Sequence, residues 1–187
     1  GVAQNYEEAA LWYKLAAAKG DGSAQTNLGL KYANGQGVSQ DYVEAVRLFK
    51  LAAAQGGAIA QYNLGTIYDE GRGAAQNYVE SVRWFKLAAL QGFAPAQNSL
   101  GFMYQSGRGV TQNYLEAVRL YKQAAAQDYA FAQYNLGVMY DEGLGVAQNF
   151  VEAMLWYKLA AAKYNASAQT NLGLKYANGQ GVSQDYV

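Results

Sequence analysis

A stretch of fifteen residues recurs at a fixed interval, and this feature constrains the fold of the chain more than any other. The copy at Ala132–Val146 reads A-Q-Y-N-L-G-V-M-Y-D-E-G-L-G-V, and the other copies begin at Ala24, Ala60, Ala96 and Ala168, so that successive copies start 36 residues apart. Self-similarity at such a period is typical of repeat proteins, in which neighbouring units bury each other's apolar faces. The sequence therefore predicts a single repeat array over residues 1–187, with units starting at 1, 37, 73, 109 and 145 and a partial unit at 181–187.

Each unit is predicted to contain two helices. The first-type helix, as in Asn5–Lys19, begins with Asn or Asp followed three residues later by Glu, which is the pattern of a capping box. It is expected to end at a glycine in the left-handed conformation, as at Gly20. Asp128 and Tyr164 occupy this place in the last two copies, so those turns should be strained or differently closed.

The second-type helix, as in Ser23–Asn34, carries a glycine in its middle. Gly29 has counterparts at the same position in every copy, at Gly65, Gly101, Gly137 and Gly173. A glycine inside a helix costs roughly 1 kcal/mol relative to alanine. Its recurrence predicts that the backbones of neighbouring helices approach closely at this point.

The repeated residues resemble those of the Sel1-like repeat family, a relative of the tetratricopeptide repeat. The resemblance covers the whole chain and rests on Ala9, Trp12, Ala16-Ala17, Gly20, Ala24, Leu28-Gly29, Tyr32, Gly35 and Gly37-Val38 with their counterparts in the other units. It implies an all-α fold, a right-handed α-solenoid of antiparallel helix pairs in 36-residue repeats.

The composition argues against catalysis. The chain has neither cysteine nor histidine, and these are the common nucleophile, metal ligands and neutral-pH base of enzyme sites. The paired glycines at Gly35 and Gly37 follow a helix and lack a third glycine, so they indicate a helix cap and a turn; the acidic pair Asp141-Glu142 is interpreted as a solvated rim. We predict a protein that is not an enzyme, with no cofactor and no metal site.

Charge and hydropathy limit the partners. The net charge is +0, and the lysine ladder of the first-type helices is interleaved with glutamates, so nucleic acid is not an expected partner. No apolar run reaches the roughly 18–20 residues of a membrane span, so no membrane insertion is expected.

One face of the second-type helix changes from unit to unit, and we call it the variable stripe. It contains Ser23, Thr26, Leu30, Ala33 and Asn34, then Ile59, Tyr62, Thr66, Asp69 and Glu70, then Pro95, Asn98, Phe102, Gln105 and Ser106, then Phe131, Tyr134, Val138, Asp141 and Glu142. In the related tetratricopeptide fold this face lines the concave groove. A constant scaffold with a variable inner face favours a non-catalytic scaffold that binds a peptide or protein segment, with the candidate residues Tyr62, Asn63, Asn98, Phe102, Phe131, Tyr134 and Asn135. In the alternative interpretation, Phe102 and Phe131 pack between units.

A second function remains open at this stage, because residues 1–43 and 145–187 differ at only six positions. Such near-identity fits a recent duplication, an engineered array or an excised one. The first-type helix at Asn5–Lys19 closely resembles the helix expected to follow Ser167–Asn178. The alternative hypothesis is therefore a structural repeat array that stacks end to end without a dedicated ligand, through weak head-to-tail self-association.

Overall fold

The computed structural model describes residues 5–181, and in this range the chain forms α-helices and no strands. The chain divides into two compact units, the N-terminal unit of residues 1–91 and the C-terminal unit of residues 92–187. The N-terminal unit contains α1 (Tyr6–Ala18), α2 (Gly22–Asn34), α3 (Tyr42–Ala54), α4 (Ala58–Glu70) and α5 (Tyr78–Leu90). The C-terminal unit contains α6 (Ala94–Ser106), α7 (Tyr114–Ala125), α8 (Ala130–Glu142), α9 (Phe150–Ala161) and α10 (Ala166–Ala177). The predicted all-α repeat fold is confirmed: odd-numbered helices are first-type and even-numbered helices are second-type.

Each of the two compact units has its core where a first-type helix packs on second-type helices. In the N-terminal unit, Phe49 of α3 and Leu64 of α4 are fully buried in one cluster with the small residues Ala45, Ala52 and Ala60. In the C-terminal unit, the corresponding cluster joins α7 to α8 and includes Ala117, Tyr121, Ala124, Ala132 and Leu136. Alanines at these positions allow the helices to lie close together, and the larger side chains fill the remaining space.

The predicted capping boxes are half right. The side chains of Asn5, Asp41, Asn77, Asn113 and Asn149 accept hydrogen bonds from backbone N–H groups of the first turn, as expected. The glutamate three residues later has a different partner from the one predicted. In α3 the Glu44 carboxylate pairs with Arg47 at 2.7 Å, and Glu80 and Glu116 pair with Arg83 and Arg119 in the same way. The backbone N–H of Asp41, the donor that the capping box requires, already donates to the carbonyl oxygen of Tyr32 at 2.9 Å, so the carboxylate pairs with the arginine one turn further along the helix.

In α2, α4, α6 and α8 the glycine of the second-type helix lies against an aromatic ring, and this corrects the prediction that two backbones meet there. A Cβ atom added to Gly101 would lie 2.7 Å from Cε1 of Tyr121 in α7, and one added to Gly29 would lie 2.7 Å from Cε1 of Phe49 in α3. Phe85 and Tyr157 lie on Gly65 and Gly137 in the same way. We call this a ring-on-glycine contact. It explains the repeated glycine, because any side chain would occupy the space of the ring.

The turn after each second-type helix also requires glycine. Gly37 has φ +75°, and an added Cβ would collide with the backbone carbonyl of Tyr6. Gly145 lies equally close to the backbone of Tyr114. The glycine pair is therefore a cap and a turn, as the sequence predicted, and the structure adds that the turn packs onto the first residue of a first-type helix.

Two turns hold a residue with a side chain in the left-handed region, where other repeats have glycine. Asp128 has φ +68° and Tyr164 has φ +62°, which confirms the expected strain. Asp128 is part of a local network, because Lys163 Nζ lies 2.6 Å from its Oδ1 and Gln133 donates to the same carboxylate. These hydrogen bonds lower the pKa of Asp128 below its usual value. Tyr164 is almost fully exposed.

Replacing Tyr164 with glycine is expected to raise the free energy of unfolding by about 1 kcal/mol, because glycine adopts this conformation without the steric cost. The measurement is the midpoint of chemical denaturation. Tyr164→Ala is the matched control, since alanine removes the ring but keeps the Cβ atom that causes the strain. Equal stabilisation by both substitutions would show that the ring, rather than the backbone conformation, is unfavourable.

Candidate functional site

In the N-terminal unit, the variable stripe borders a cavity between the first turns of α2 and α4. Its volume is about 600 Å³, which is in the range of ligand-binding cavities. α2 contributes Ser23, Thr26 and Asn27, and the end of α3 contributes Gln55. Ile59 forms the apolar wall on α4 and is 48% exposed. The cavity therefore combines one large apolar side chain with several hydroxyl and amide groups.

Tyr62, the aromatic candidate of this unit, belongs partly to the framework. It is half-buried, and its ring centroid lies 5.7 Å from that of Phe85, the ring that covers Gly65. Tyr62 therefore supports a ring-on-glycine contact while keeping part of its surface exposed. Ile59 was on the predicted stripe but was not among the candidate residues. The available signal was its repeat position, which is the position of Phe131.

In the C-terminal unit, two aromatic side chains of the variable stripe are exposed. Phe102 on α6 is 42% exposed and Phe131 on α8 is 59% exposed. The Arg108 guanidinium lies 5.4 Å from the Phe102 ring centroid, and the centroid of the Tyr129 ring lies 5.6 Å from that of Phe131. Large apolar side chains with this exposure can supply contact area to a partner.

Tyr134 differs from these two phenylalanines. It is half-buried against the cluster that joins α9 to α10, and its ring centroid lies 5.9 Å from that of Tyr157. The alternative interpretation, in which stripe aromatics pack between helix pairs, therefore fits Tyr134 better than Phe102 or Phe131. Truncation of Tyr134 should affect folding as well as any binding.

Each candidate asparagine uses one atom of its side chain in a hydrogen bond within the protein. Nδ2 of Asn63 donates to the carbonyl oxygen of Ile59 in its own helix at 2.8 Å. In the C-terminal unit, Nδ2 of Asn135 donates to Oδ1 of Asn98 at 2.9 Å, so the structure brings these two candidates together. A carboxamide has two donor hydrogens and an acceptor oxygen, and each of these side chains keeps further bonding capacity.

The acidic pair at the end of the stripe on α8 is only partly the solvated rim that was predicted, because Glu142 is exposed but Asp141 is not. Asp141 is half-buried and forms an ion pair with Lys175 of α10, and the hydroxyl of Tyr157 donates to its Oδ2 at 3.3 Å. Burial raises the pKa of Tyr157, so the hydroxyl remains a donor at neutral pH. Asp141 therefore has a structural role, because it ties α8 to the next helix pair.

The lysine ladder lies on the surface, as predicted. Lys14, Lys122 and Lys158 are exposed, with their Nζ atoms 5.7–5.8 Å from the ring centroids of Tyr32, Tyr140 and Tyr176. Cation–π contacts of this kind are local and leave the charge in water. Within residues 5–181, no cluster of acidic side chains has the grouping of a metal site. No helix in the same range combines the length and apolar character needed to cross a membrane.

The fold and the repeated contacts define the class as a helical repeat protein built from helix pairs. The profile of the Sel1 repeat matches residues 1–21, 22–57, 58–93, 94–129, 130–165 and 166–187, and the chain belongs to the Sel1 repeat family. From the second matched segment onward, the segments start 36 residues apart, as predicted, and begin at the second-type helices. Sel1 repeat proteins are typically non-catalytic, and many are protein-interaction scaffolds.

Solved structures agree with this assignment. The chain is similar to c5321, a protective antigen of uropathogenic Escherichia coli strains, with 43% identity and a TM-score of 0.88 over 94% of this chain and 38% of that one. It is also similar to a Sel1 repeat protein from Oxalobacter formigenes, with 36% identity and a TM-score of 0.91 over 99% and 74% of the two chains. The chain thus spans less than half of the E. coli protein.

A more distant structure shares the fold. The immunity protein Pa5087 from Pseudomonas aeruginosa has 23% identity and a TM-score of 0.63, over 89% of this chain and 62% of that chain. No curated protein matches the sequence.

Proposed function

We propose that this chain is a non-catalytic scaffold that binds an extended peptide or protein segment on the variable stripe of its second-type helices. The observation that carries the proposal is the exposure of Ile59, Phe102 and Phe131 on that stripe. These three side chains are the apolar anchors, and the amides of Asn63, Asn98 and Asn135 supply hydrogen bonds to the segment's backbone. Tyr62 and Tyr134 position the anchors and add contact area at the edge.

The chemistry of the stripe favours a segment with apolar side chains at intervals and little charge. The cavity beside Ile59 is lined by hydroxyl and amide groups, and its charged lining residue, Asp21, already accepts a hydrogen bond from the N–H of Ala24. In the C-terminal unit the anchors are phenylalanines. A buried aromatic or aliphatic anchor surrounded by polar groups is the usual composition of a binding hot spot.

Selection of a random linear peptide library displayed on phage against the whole chain tests this function. We expect soluble copies of the enriched peptides to bind the Phe131→Ala variant at least about tenfold more weakly than the wild type, which is the loss typical of a hot-spot residue. The thermal midpoint should stay close to that of the wild type, because the ring is mostly exposed.

Leu115→Ala is the matched control. Leu115 is 72% exposed on the first-type helix α7, so the substitution removes a similar apolar surface away from the stripe. The proposal is wrong if the library yields no binder, or if the enriched peptides lose affinity for Leu115→Ala but bind Phe131→Ala and Phe102→Ala normally.

A second candidate function is the structural array that stacks end to end through weak head-to-tail self-association. The observation that favours it is that residues 167–178, which form most of α10 and its C-cap, repeat residues 23–34 of α2 without change. Several of these residues are buried in α2 and exposed in α10. The same helix sequence at two places in the chain is compatible with an array of stacked repeats.

A further inference from the structure

The cavity between α2 and α4 lies where α2 has a small residue in place of a tyrosine. Thr26 lines this cavity, and the same repeat position is Tyr62 in α4 and Tyr134 in α8. Each of these tyrosine rings packs beside an aromatic ring of the first-type helix that follows. The centroids are 5.7 Å apart for Tyr62 and Phe85, and 5.9 Å apart for Tyr134 and Tyr157. Threonine is much smaller than tyrosine, so α2 lacks the ring that α4 and α8 have at this position.

The side chains of Thr26 and Asn63 do not span the gap between α2 and α4. In the C-terminal unit the residues at these two repeat positions are Asn98 and Asn135, and a hydrogen bond joins them between α6 and α8. In the N-terminal unit each side chain bonds to its own helix. Oγ1 of Thr26 and Nδ2 of Asn63 each donate to the carbonyl oxygen four residues earlier, at 2.9 Å and 2.8 Å. This pair of residues therefore leaves the space between the two helices open.

The walls of the cavity suit an aromatic ring that carries a polar tip. Ala52 of α3 and the exposed side chain of Ile59 on α4 provide apolar surface. The hydroxyl and amide groups of Ser23, Asn27 and Gln55 also line the cavity and can bond to a polar group. The volume of about 600 Å³ is larger than one phenol ring, so the ring can enter together with part of the chain that carries it.

We infer that this cavity binds an aromatic side chain, tyrosine in preference to phenylalanine, of the segment that lies on the variable stripe. The bound ring takes the place beside Thr26 that the protein's own tyrosines take in α4 and α8, and it packs on Ala52 and Ile59. Tyrosine is preferred because its hydroxyl can bond to the polar groups of the lining. The inference names the side chain that the N-terminal unit selects, and it rests on the proposed function.

Titration of the whole chain with p-cresol, which is the tyrosine side chain as a free molecule, tests the cavity directly. The NMR signals of the Ile59 and Ala52 methyl groups are expected to shift and to reach saturation at millimolar p-cresol, as befits so small a ligand. Thr26→Tyr supplies the missing ring from the protein itself, so it should weaken p-cresol binding at least about tenfold. Ile59→Ala removes an apolar wall and should weaken the binding at least about fivefold. Circular dichroism checks that both variants are folded.

Each variant has a matched control. Thr170→Tyr makes the same change at the same repeat position in α10, and Val79→Ala shortens an exposed aliphatic side chain on the first-type helix α5 of the same unit. Both controls should bind p-cresol as the wild type does. The inference is wrong if p-cresol leaves the signals of Ile59 and Ala52 unchanged. It is also wrong if a folded Thr26→Tyr or Ile59→Ala variant binds p-cresol as tightly as the wild type.

The peptides enriched from the phage library separate this inference from the proposed function. They should share an aromatic residue, and they should bind Thr26→Tyr at least about tenfold more weakly than the wild type. If they bind Thr26→Tyr normally but lose affinity for Phe131→Ala, the proposed function stands and the assignment of the cavity to an aromatic side chain is wrong. If the library yields no binder, both are wrong.

Discussion

Replacing Gly101 with leucine is expected to lower the free energy of unfolding by about 1–3 kcal/mol or more, because the new side chain enters occupied space. The added Cβ alone would lie 2.7 Å from Cε1 and 2.9 Å from Cδ1 of Tyr121. The ring cannot easily move away, since it is fully buried and its hydroxyl donates to Oε1 of Gln105 at 2.6 Å. The better helix propensity of leucine offsets at most about 1 kcal/mol of this loss in the free energy of unfolding. Chemical denaturation followed by far-UV circular dichroism measures the change.

Gly173→Leu is the control for this substitution, because it makes the same chemical change at the same repeat position. Gly173 has no neighbour within 4 Å of an added Cβ. Dilute protein carrying Gly173→Leu should therefore be as stable as the wild type or slightly more stable, through helix propensity alone. An increase in the denaturation midpoint for Gly101→Leu would show that the glycine is not a point of close contact.

Tyr121→Ala is expected to lower the free energy of unfolding by about 3–5 kcal/mol, which is the cost of removing a large buried aromatic side chain. The ring covers Gly101 and lies in the core cluster that joins α7 to α8. Its loss would leave a cavity and take away the donor to Gln105. The same denaturation experiment measures the effect.

Tyr121→Phe separates the ring from the hydroxyl. It keeps the ring-on-glycine contact and removes one hydrogen bond, so we expect a loss of only about 1 kcal/mol. Burial raises the pKa of Tyr121, so the hydroxyl is a neutral donor and the difference between the two proteins should be constant through neutral pH. A loss in Tyr121→Phe as large as in Tyr121→Ala would place the stabilisation in the hydrogen bond rather than in the ring.

Much of the fold could be predicted from the sequence because the repeat shows the same local pattern several times. Helix starts, left-handed turns and the strained positions Asp128 and Tyr164 follow from residue type alone. The partner of the helix glycine could not be predicted in the same way. Tyr121 and Phe49 lie on first-type helices, and which residue of the neighbouring helix each ring covers depends on how the two helices cross.

The candidate site was less predictable for the same reason. The pattern identified the stripe, since its residues vary while the framework repeats. It could not distinguish Tyr134, which packs on Tyr157, from Phe131, which is exposed one turn earlier on the same helix. It also could not show that Asn98 and Asn135 bond to each other, because that depends on the distance between α6 and α8.

A double-mutant cycle at Gly101 and Tyr121 tests the central claim most directly, namely that ring-on-glycine contacts join the second-type helices α2, α4, α6 and α8 to the first-type helices that follow them. The free energies of unfolding of the wild type, Gly101→Leu, Tyr121→Ala and the double variant are measured under one set of conditions. We predict that the double variant loses at least about 1 kcal/mol less than the sum of the two single losses, because the leucine then occupies the space that the ring has left. Losses that add within about 0.3–0.5 kcal/mol would show that the two residues do not share a contact, and would contradict the account.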